Sequence, residues 1–302
     1  MKHNIILFLN SRGLLNFIPD KFIISYMYYK TFKKKINLRE PKTFNEKLQW
    51  LKLNDRNPLY TKLVDKILVK EYISDNIGEE YVIPTIDVAN TFDEIEFKKL
   101  PKQFVIKCNH DSGGVVICKD KDKFDIKKAK KIINASLKKN YYINGREWPY
   151  KFVKPRILVE QFMIDKELNE LRDYKFFCFN GKVEYFKVDF DRFINHKANY
   201  YNREGIIQPF GEEVCPPDFE RKIVLPSNIE KMILLAEKLS KGISFVRIDF
   251  YDINNKIYFG EMTFYPASGF GKFIPQEWDL TIGEKLKISK KEGAKYEDNN
   301  RE

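Results

Sequence analysis

The sequence predicts an α+β protein built from two lobes and preceded by a short helical region. Three observations indicate this class: helical spacing over 1–60, alternating helices and short strands over 61–155, and longer strands over 156–288. With 302 residues and 43% hydrophobic content, the chain can bury a large core. Residues 289–302 show no apolar periodicity, so we expect a disordered tail.

The helical region contains two helical segments, which Pro41 separates. Thr43 and Glu46 form a capping-box pattern at the start of the second helix. The first helix carries an aromatic stripe, which at this spacing is more often buried in a core than laid on a membrane surface. The stripe consists of Phe22, Ile23, Tyr26, Met27 and Tyr29.

The first lobe alternates short elements of both kinds. Helical spacing predicts a helix over 63–76 and a basic helix over 126–139. Runs of β-branched and aromatic residues predict strands over 81–85, 104–107 and 115–118. The result is a small α+β lobe.

The second lobe is richer in strands. The segments ILVEQF, DYKFFCFNG and KVEYFKVDF predict three strands between 157 and 190. A helix is expected over 228–241, and the segment 245–264 predicts a β-hairpin.

Composition excludes several classes of protein. With three histidines, four cysteines and no CxxC pair, neither a zinc site nor a disulfide framework is suggested, and a reducing cytoplasm fits best. The apolar run at 5–9 is too short for a secretory signal, and no run of about 18 apolar residues predicts a membrane span. The cysteines are Cys108, Cys118, Cys178 and Cys215.

The formal net charge of +11 favours a polyanionic partner without identifying it. Nucleic acid, an anionic membrane and an anionic substrate would all be attracted. Lysine runs at 33–35, 127–131 and 138–140 are more often solvated helix faces than binding sites.

The 245–264 hairpin places charge where a half-buried strand normally has none. Val246, Ile248 and Phe250 share one face, so Arg247 and Asp249 lie on the other. If Phe259 pairs with Asp249, the return strand adds further polar groups to that face, Glu261 and Thr263. Carboxylates with a nearby guanidinium suit Mg²⁺ and a transferring phosphate, but a surface ion pair explains the residues equally well.

A second polar segment, FVIKCNHDSGGVVI, predicts two strands joined by a Gly-rich turn. Lys107 closes the first strand, and Ser112, Gly113 and Gly114 form the turn. Such a turn lets backbone N–H groups approach phosphates. It matches neither a Walker A motif nor a Rossmann fingerprint, and a plain hairpin is the alternative.

The order of the charged residues is more distinctive than any one of them. Lys66 and Lys70 lie one helical turn apart, and Glu160 lies near the end of an apolar strand. The charged residues occur in a fixed order along the chain: a lysine pair, a strand lysine with a Gly-rich turn, a strand glutamate and then an Asp…Glu hairpin.

This ordered set of residues resembles the ATP-grasp superfamily. The sequences of its motifs are most similar to the TupA-like branch, named for teichuronopeptide biosynthesis. The resemblance covers about 19–288. It implies the ATP-grasp fold, with a nucleotide between two α+β lobes, and the use of ATP and Mg²⁺. It rests on PKTFNEKLQWLKL, VDKILVKEYI, KCNHDSGG, GREW, DYKFFCFNG and RIDFYDINNKIYFGEMTFYPASGFGKF.

The resemblance implies a role for each matching residue. Lys66, Lys107 and Lys197 match phosphate-contacting lysines, and Gly113 and Gly114, beside Ser112, match the phosphate loop. For the nucleoside, Glu160 and Met163 match adenine-contacting positions, and Asp173 matches the ribose-contacting position. Arg247 matches the phosphate arginine, Asp249 and Glu261 match metal carboxylates, and Thr263 stands where many relatives have asparagine.

The implied activity is a carboxylate-amine ligation through an acyl phosphate in the cytoplasm. The implied partners are an anionic glycan, such as a uronic acid of a surface polysaccharide, and an amine, with peripheral contact to membrane-bound polysaccharide machinery and no nucleic acid. Four cations within the family-like motifs are acceptor-site candidates, with ordinary ion pairing as the alternative. They are Arg146, Arg192, His196 and Lys272.

Three other functions stay open from sequence. A sugar or glycan kinase keeps the fold, but a hydroxyl attacks the γ-phosphate. A glycosyltransferase would hold a metal and a nucleotide sugar with paired carboxylates, and Asp189 and Asp191 have that spacing, although an alternating strand also explains them. A basic nucleic-acid or membrane binder would use the lysine runs and leaves the hairpin unexplained.

Overall fold

The computed structural model describes residues 2–165, 172–191 and 195–288, with side chains in α1 described from residue 6 except that of residue 7. The predicted tail and the acceptor candidate Arg192 lie outside these residues. The α-helices of the described part are α1 (Lys2–Ser11), α2 (Asp20–Phe32), α3 (Phe44–Asn54), α4 (Leu59–Val64), α5 (Val69–Ile77), α6 (Ile126–Leu137), α7 (Tyr141–Gly145), α8 (Ile229–Leu239) and α9 (Trp278–Lys285).

The first lobe is built on an antiparallel four-stranded sheet. Its strands are β1 (Thr85–Ala89), β2 (Phe104–Cys108), β3 (Val115–Cys118) and β4 (Ile157–Gln161), in the order β1-β4-β2-β3. Because side chains alternate along a strand, Phe104 and Ile106 point to one face, where Ile133 of α6 joins them in a buried core. Val105 and Lys107 therefore point to the opposite face.

The second lobe is built on an antiparallel five-stranded sheet in the order β10-β9-β5-β6-β7. Phe176, Ile248 and Phe250 on one face share a buried core with Met232 and Ala236 of α8. The strands are β5 (Asp173–Phe179), β6 (Lys182–Phe190), β7 (Lys197–Asn202), β9 (Phe245–Ile253) and β10 (Lys256–Thr263), while β8 (Gly211–Glu212) and β11 (Phe273–Ile274) form a separate pair.

Helix α3 belongs to the core of the second lobe. The Phe44 ring lies 4.9 Å from the Phe245 ring and 5.7 Å from the Phe179 ring, centroid to centroid. The predicted capping box is confirmed, since the Glu46 N–H donates to Thr43 Oγ1 (3.3 Å) and the Thr43 N–H donates to Glu46 Oε2 (3.2 Å).

Two predicted elements of the first lobe are wrong in detail. The predicted helix over 63–76 is two helices, because the Asp65 carboxylate accepts hydrogen bonds from the N–H groups of Ile67 (2.8 Å) and Leu68 (3.2 Å) between them. The predicted strand over 81–85 is a 3₁₀ turn at Glu79–Tyr81, and the strand follows it at Thr85–Ala89.

The aromatic stripe of α2 does not lie wholly in the core. Ile23 is buried, but the side chains of Phe22 and Tyr29 are exposed. The favoured core interpretation therefore fails for these two rings. No helix among the described residues has the length and apolar content needed to cross a bilayer.

Candidate functional site

A cavity of about 390 Å³ lies between the two sheets. Most of the site residues that the sequence indicated line it, together with Lys175 and Tyr251 from the large sheet. The predicted residues in its wall are Lys66, Lys107, Ser112, Gly113, Glu160, Met163, Asp173, Asp249 and Glu261.

The small sheet presents paired charges to the cavity. Val105 pairs with Glu160 across β2 and β4, so alternation puts Lys107 and Glu160 on the same face. Lys107 Nζ contacts one carboxylate oxygen of Glu160, and Lys70 Nζ lies 2.6 Å from the other. Burial would raise the pKa of Glu160, but the two ammonium groups hold this pKa below its ordinary value.

The Gly-rich turn between β2 and β3 forms one end of the cavity. Lys66 Nζ donates to the carbonyl oxygen of Asp111 (2.7 Å), and burial lowers the pKa of Lys66. Within the described chain, the N–H groups of Ser112 and Gly113 donate no hydrogen bond. They are therefore free to bind an anion in the cavity.

The two glycines of this turn are required for different reasons. Gly113 has φ +102 and open space beside it, which suits a loop wall next to a ligand. Gly114 does not line the cavity. A Cβ there would lie 2.0 Å from Ser136 Oγ, so Gly114 allows the turn to pack on α6.

The β9–β10 hairpin brings the predicted carboxylates together, but through a different register. Phe259 pairs with Phe250 rather than with Asp249, and a bulge at Gly260 then places Glu261 directly opposite Asp249. Without the extra residue, Glu261 would pair with Ile248 and point into the core. Asn254 (φ 51) and Asn255 (φ 60) close the hairpin in the left-handed conformation that such turns need.

Arg247 connects the polar groups of the hairpin. Its Nε and Nη2 atoms donate to the two oxygens of Asp249, both at 2.7 Å. Nη2 also lies 3.0 Å from Glu261 Oε1 and 3.1 Å from Thr263 Oγ1. Arg247 and Thr263 thus stand directly behind the cavity wall. Burial would raise the pKa of Asp249, but Arg247 and Lys175 hold it below the ordinary value.

Sequence reasoning missed Lys175, a central cation of this cluster. It pairs with Asp249 across β5 and β9, and its Nζ lies 3.0 Å from Asp249 Oδ2 and 2.8 Å from Asp173 Oδ2. Asp189 Oδ2 lies 3.5 Å from the same ammonium group. The available signal was alternation, because Asp173 and Lys175 interrupt the apolar run DYKFFCF at every second residue.

Formal charge is separated across the cavity. On the side of the small sheet, four ammonium groups (Lys66, Lys70, Lys107 and Lys119) lie with two carboxylates (Asp111 and Glu160), which leaves two positive charges. On the large lobe, four carboxylates contact two cations, and the neighbouring Lys187 is balanced by Glu212, which leaves two negative charges. These carboxylates are Asp173, Asp189, Asp249 and Glu261, and the cations are Lys175 and Arg247.

The donor set of the large lobe fits a hard divalent cation. Asp249 and Glu261 offer carboxylate oxygens from directly opposed positions, and Thr263 adds a hydroxyl behind them. Mg²⁺ prefers one or two carboxylates together with phosphate oxygens. The excess of two negative charges equals the charge of one such ion.

Lys197 is not brought into this cluster. It pairs with Phe190 across β6 and β7, and Phe190 belongs to the core-facing series of β6. Alternation therefore directs Lys197 to the face away from Asp249. The predicted phosphate role of Lys197 has no support in this geometry, and the structure places Lys175 near the carboxylates instead.

The acceptor candidates have separate surroundings. Arg146 is fully buried and binds Asn10, the Leu15 carbonyl and Tyr142, so it anchors the amino-terminal segment. Lys272 forms an exposed ion pair with Glu213 (3.0 Å), while His196 Nε2 lies 3.6 Å from Asp189 Oδ1 at the end of the charged cluster.

Helix α3 supports the loop that follows the hairpin. In this loop Ala267 (φ 47), Ser268 (φ 54) and Gly269 (φ 65) are left-handed. The strain at Ala267 and Ser268 requires support from neighbouring groups, whereas Gly269 adopts this conformation freely. Gln49 Nε2 donates to the Gly269 carbonyl (2.6 Å), and Lys52 Nζ donates to the Ser268 carbonyl (2.7 Å). The helical motif before the two lobes and the loop after the hairpin therefore meet beside the site.

Two α+β lobes that enclose such a cavity define an ATP-grasp protein. More narrowly, the chain belongs to the TupA-like ATP-grasp family, whose model matches residues 46–287. The match begins later than the resemblance over 19–288 suggested. No curated protein matches the sequence.

Solved structures of ATP-grasp proteins resemble the chain distantly. D-alanine–D-alanine ligase from Helicobacter pylori is 16% identical, with a TM-score of 0.40 over 81% of this chain and 69% of that chain. A RimK domain ATP-grasp protein from Sphaerobacter thermophilus is 12% identical, with a TM-score of 0.42 over 77% and 70%. The ATP-grasp ligase PsnB is 10% identical, with a TM-score of 0.38 over 68% of this chain, and this chain spans only 53% of PsnB.

Proposed function

We propose that this protein is an ATP- and Mg²⁺-dependent carboxylate-amine ligase. The observation that carries the proposal is the separation of charge across the cavity. Triphosphate is strongly anionic, so it would lie against the lysines of the small lobe. Its oxygens and the carboxylates of the large lobe would bind Mg²⁺ together. Membership of the ATP-grasp family supports the same assignment.

The cavity offers a separate region for each part of the nucleotide. Val105, Val115 and Ile117 form an apolar wall on the small sheet, and Phe162 and Met163 continue it at the junction of the lobes. An adenine ring would bury its faces there. Phosphates would bind the free N–H groups of the Gly-rich turn together with two lysines, Lys66 and Lys107.

The hairpin would hold the metal. Asp249 and Glu261 are the ligands we propose, with Thr263 beside them. Mg²⁺ bound there would polarise the γ-phosphate and neutralise its charge. Arg247 and Lys175 now occupy the Asp249 oxygens, so metal binding would free their donors for the transferring phosphoryl group.

In the reaction, a substrate carboxylate oxygen attacks the γ-phosphorus, and the bond from phosphorus to ADP breaks. An amine then attacks the acyl carbon, loses a proton and releases phosphate, which yields an amide. The chain needs no nucleophile of its own, because its residues position the reactants and stabilise developing charge. Enclosure between the lobes would keep water from the acyl phosphate.

For the acceptor we propose a uronic acid of a surface polysaccharide or its precursor, joined to an amino acid or a similar amine in the cytoplasm. The TupA-like family and the net charge of +11 support an anionic glycan. All four cysteines are buried free thiols, which suits a reducing compartment.

The proposal is tested by supplying ATP, Mg²⁺, sugar acids and amines and then measuring the masses of the products by mass spectrometry. A ligase forms an amide and releases phosphate only when both co-substrates are present, and hydroxylamine in place of the amine yields a hydroxamate. Asp249→Asn should reduce turnover by at least about 100-fold. The matched control is Asp252→Asn, because Asp252 lies on β9 but bonds Asn228 on the opposite face.

Other products would overturn the proposal. A sugar that gains a phosphoryl group would identify a kinase. Phosphate release that never requires both co-substrates would exclude ligation, and tight UDP-sugar binding without ATP binding would favour a glycosyltransferase.

A further inference from the structure

The first 30 residues expose an unusual concentration of large apolar side chains. Phe17 is 82% exposed and Phe22 is 65% exposed, in a segment whose helices otherwise pack on the protein. Exposing such rings to water costs free energy that burial elsewhere would recover. We call this the amino-terminal apolar surface, and it consists of Phe8, Leu14, Phe17, Phe22 and Tyr29.

Helix α2 is apolar on both of its faces. Ile23, Ile24 and Tyr28 are buried against the protein. On the other side, exposed Phe22 and Tyr29 lie seven residues apart, and half-buried Tyr26 lies between them on the same stripe of the helix. The outward side of α2 can therefore bury apolar surface against a further apolar partner.

An exposed aromatic ring of the first lobe is connected to this segment through Tyr142. Phe152 is exposed, and Lys151 Nζ lies 5.3 Å from its ring and 5.5 Å from the ring of Tyr142. Tyr142 in turn donates a hydrogen bond to Asp20 at the start of α2 (2.5 Å). Lys151 and the exposed Phe152 are thus linked to the start of α2 through Tyr142.

The charges around this surface are almost all positive. Residues 1–40 contain eight lysines and arginines against two acidic residues. One of the acids, Asp20, is held by Arg56 (3.2 Å) and Tyr142. Exposed Lys21, Lys33, Lys34 and Lys35 flank the α2 stripe, and Arg12 lies over the Phe8 ring at 5.1 Å.

We propose that the amino-terminal apolar surface docks the protein on an anionic lipid bilayer. Exposed aromatic rings surrounded by lysines match an interface in which rings insert at the headgroup boundary and ammonium groups meet anionic headgroups. A protein partner with an equally apolar face would not need the excess positive charge. This docking is independent of the nucleotide chemistry proposed above.

Vesicle co-sedimentation tests the docking directly. The full-length protein should sediment with phosphatidylcholine vesicles that contain phosphatidylglycerol and much less with pure phosphatidylcholine, and added salt should release part of it. The Phe17→Ser/Phe22→Ser variant should bind at least about tenfold more weakly while keeping its circular dichroism and ATP turnover. The matched control is Phe219→Ser/Val224→Ser, which removes side chains that are 51% and 85% exposed elsewhere.

A second pair of variants separates local from overall charge. Lys33, Lys34 and Lys35 changed to Glu should abolish vesicle binding, whereas the same changes at exposed Lys127, Lys128 and Lys131 of α6 should weaken it far less. Equal losses in the two variants would overturn the proposal. Vesicle binding by Phe17→Ser/Phe22→Ser equal to that of the unaltered protein would also overturn it. So would the finding that the unaltered protein binds no vesicles but forms a dimer, and that these two substitutions abolish the dimer.

Discussion

Lys52 is fully buried where three segments of the chain meet. Its Nζ donates to the carbonyls of Gly145 and Ser268, both at 2.7 Å, and lies 4.8 Å from the Phe270 ring. Burial lowers the pKa of Lys52 to about 7, although the nearby carboxylate of Glu147 opposes this shift. The folded protein therefore binds this proton more weakly than the unfolded chain does.

The lowered pKa predicts a pH dependence of stability. Above about pH 7 the folded protein loses the proton while the unfolded chain keeps it, so the free energy of unfolding should rise with pH toward the ordinary lysine pKa. Urea unfolding at about pH 7 and about pH 9 should show this rise relative to Lys52→Met. If the two proteins change in parallel over this range, Lys52 does not titrate as described.

The positions of site residues could be predicted from sequence where spacing along one strand determined them, and their roles stay predictions. Lys107 and Glu160 line the cavity from strands that the sequence predicted, whereas Lys66 lines it from the turn between α4 and α5 and not from the predicted helix. Lys175 was missed, and Lys197, expected to contact phosphate, lies on the opposite face of the sheet. Which face of a sheet a lysine occupies depends on strand pairing, and no β7 strand was predicted.

At the scale of elements, α3 presents polar groups on its buried side. Asn45, Gln49 and Lys52 follow one another at spacings of four and three residues and bond the backbone of the 266–271 loop. The loop in turn continues from β10, which carries Glu261. The helical region therefore contributes to the shape of the site without supplying a ligand.

Removing the central group of this row should destabilise the protein. Gln49→Leu leaves the buried Gly269 carbonyl without its side-chain donor, which should cost about 1–3 kcal/mol in the free energy of unfolding. Asn54→Leu is the control on the same helix, because the Asn54 side chain donates, among the described residues, only to the Trp50 carbonyl one turn away. Denaturant unfolding compares the two, and equal small losses would show that the loop holds its shape without α3.

The β9–β10 hairpin shows what strand alternation predicts and what it does not. Alternation placed Arg247 and Asp249 together, and the face of Glu261 was right although the assumed register was not. Because Phe259 pairs with Phe250, regular pairing would turn Glu261 toward the core. The bulge at Gly260 returns Glu261 to the face of Asp249. A glycine in a strand can mark a bulge, but the sequence does not say on which side of it the register shifts.

At the scale of the whole molecule, two separate cores support the two sides of the site. One core lies between the small sheet and α6, and the other joins the large sheet to α3, α4, α5 and α8. The predicted domain limits at 60 and 155 stay predictions, although β4, which the sequence assigned to the second lobe, pairs within the small sheet, and α4 and α5 pack in the second core. The charge separation across the cavity arises only when both cores are assembled, so no single segment of sequence reveals it.

The most direct test of this account is nucleotide binding by calorimetry, with and without Mg²⁺, in the unaltered protein and in Asp249→Asn/Glu261→Gln. Mg²⁺ should tighten ATP binding at least about tenfold in the unaltered protein and have little effect in the double variant. Because the variant lacks two negative charges near the phosphates, it should bind metal-free ATP at least as tightly as the unaltered protein. Asp252→Asn should behave like the unaltered protein. A double variant that keeps the full effect of Mg²⁺ would contradict the assignment of Asp249 and Glu261.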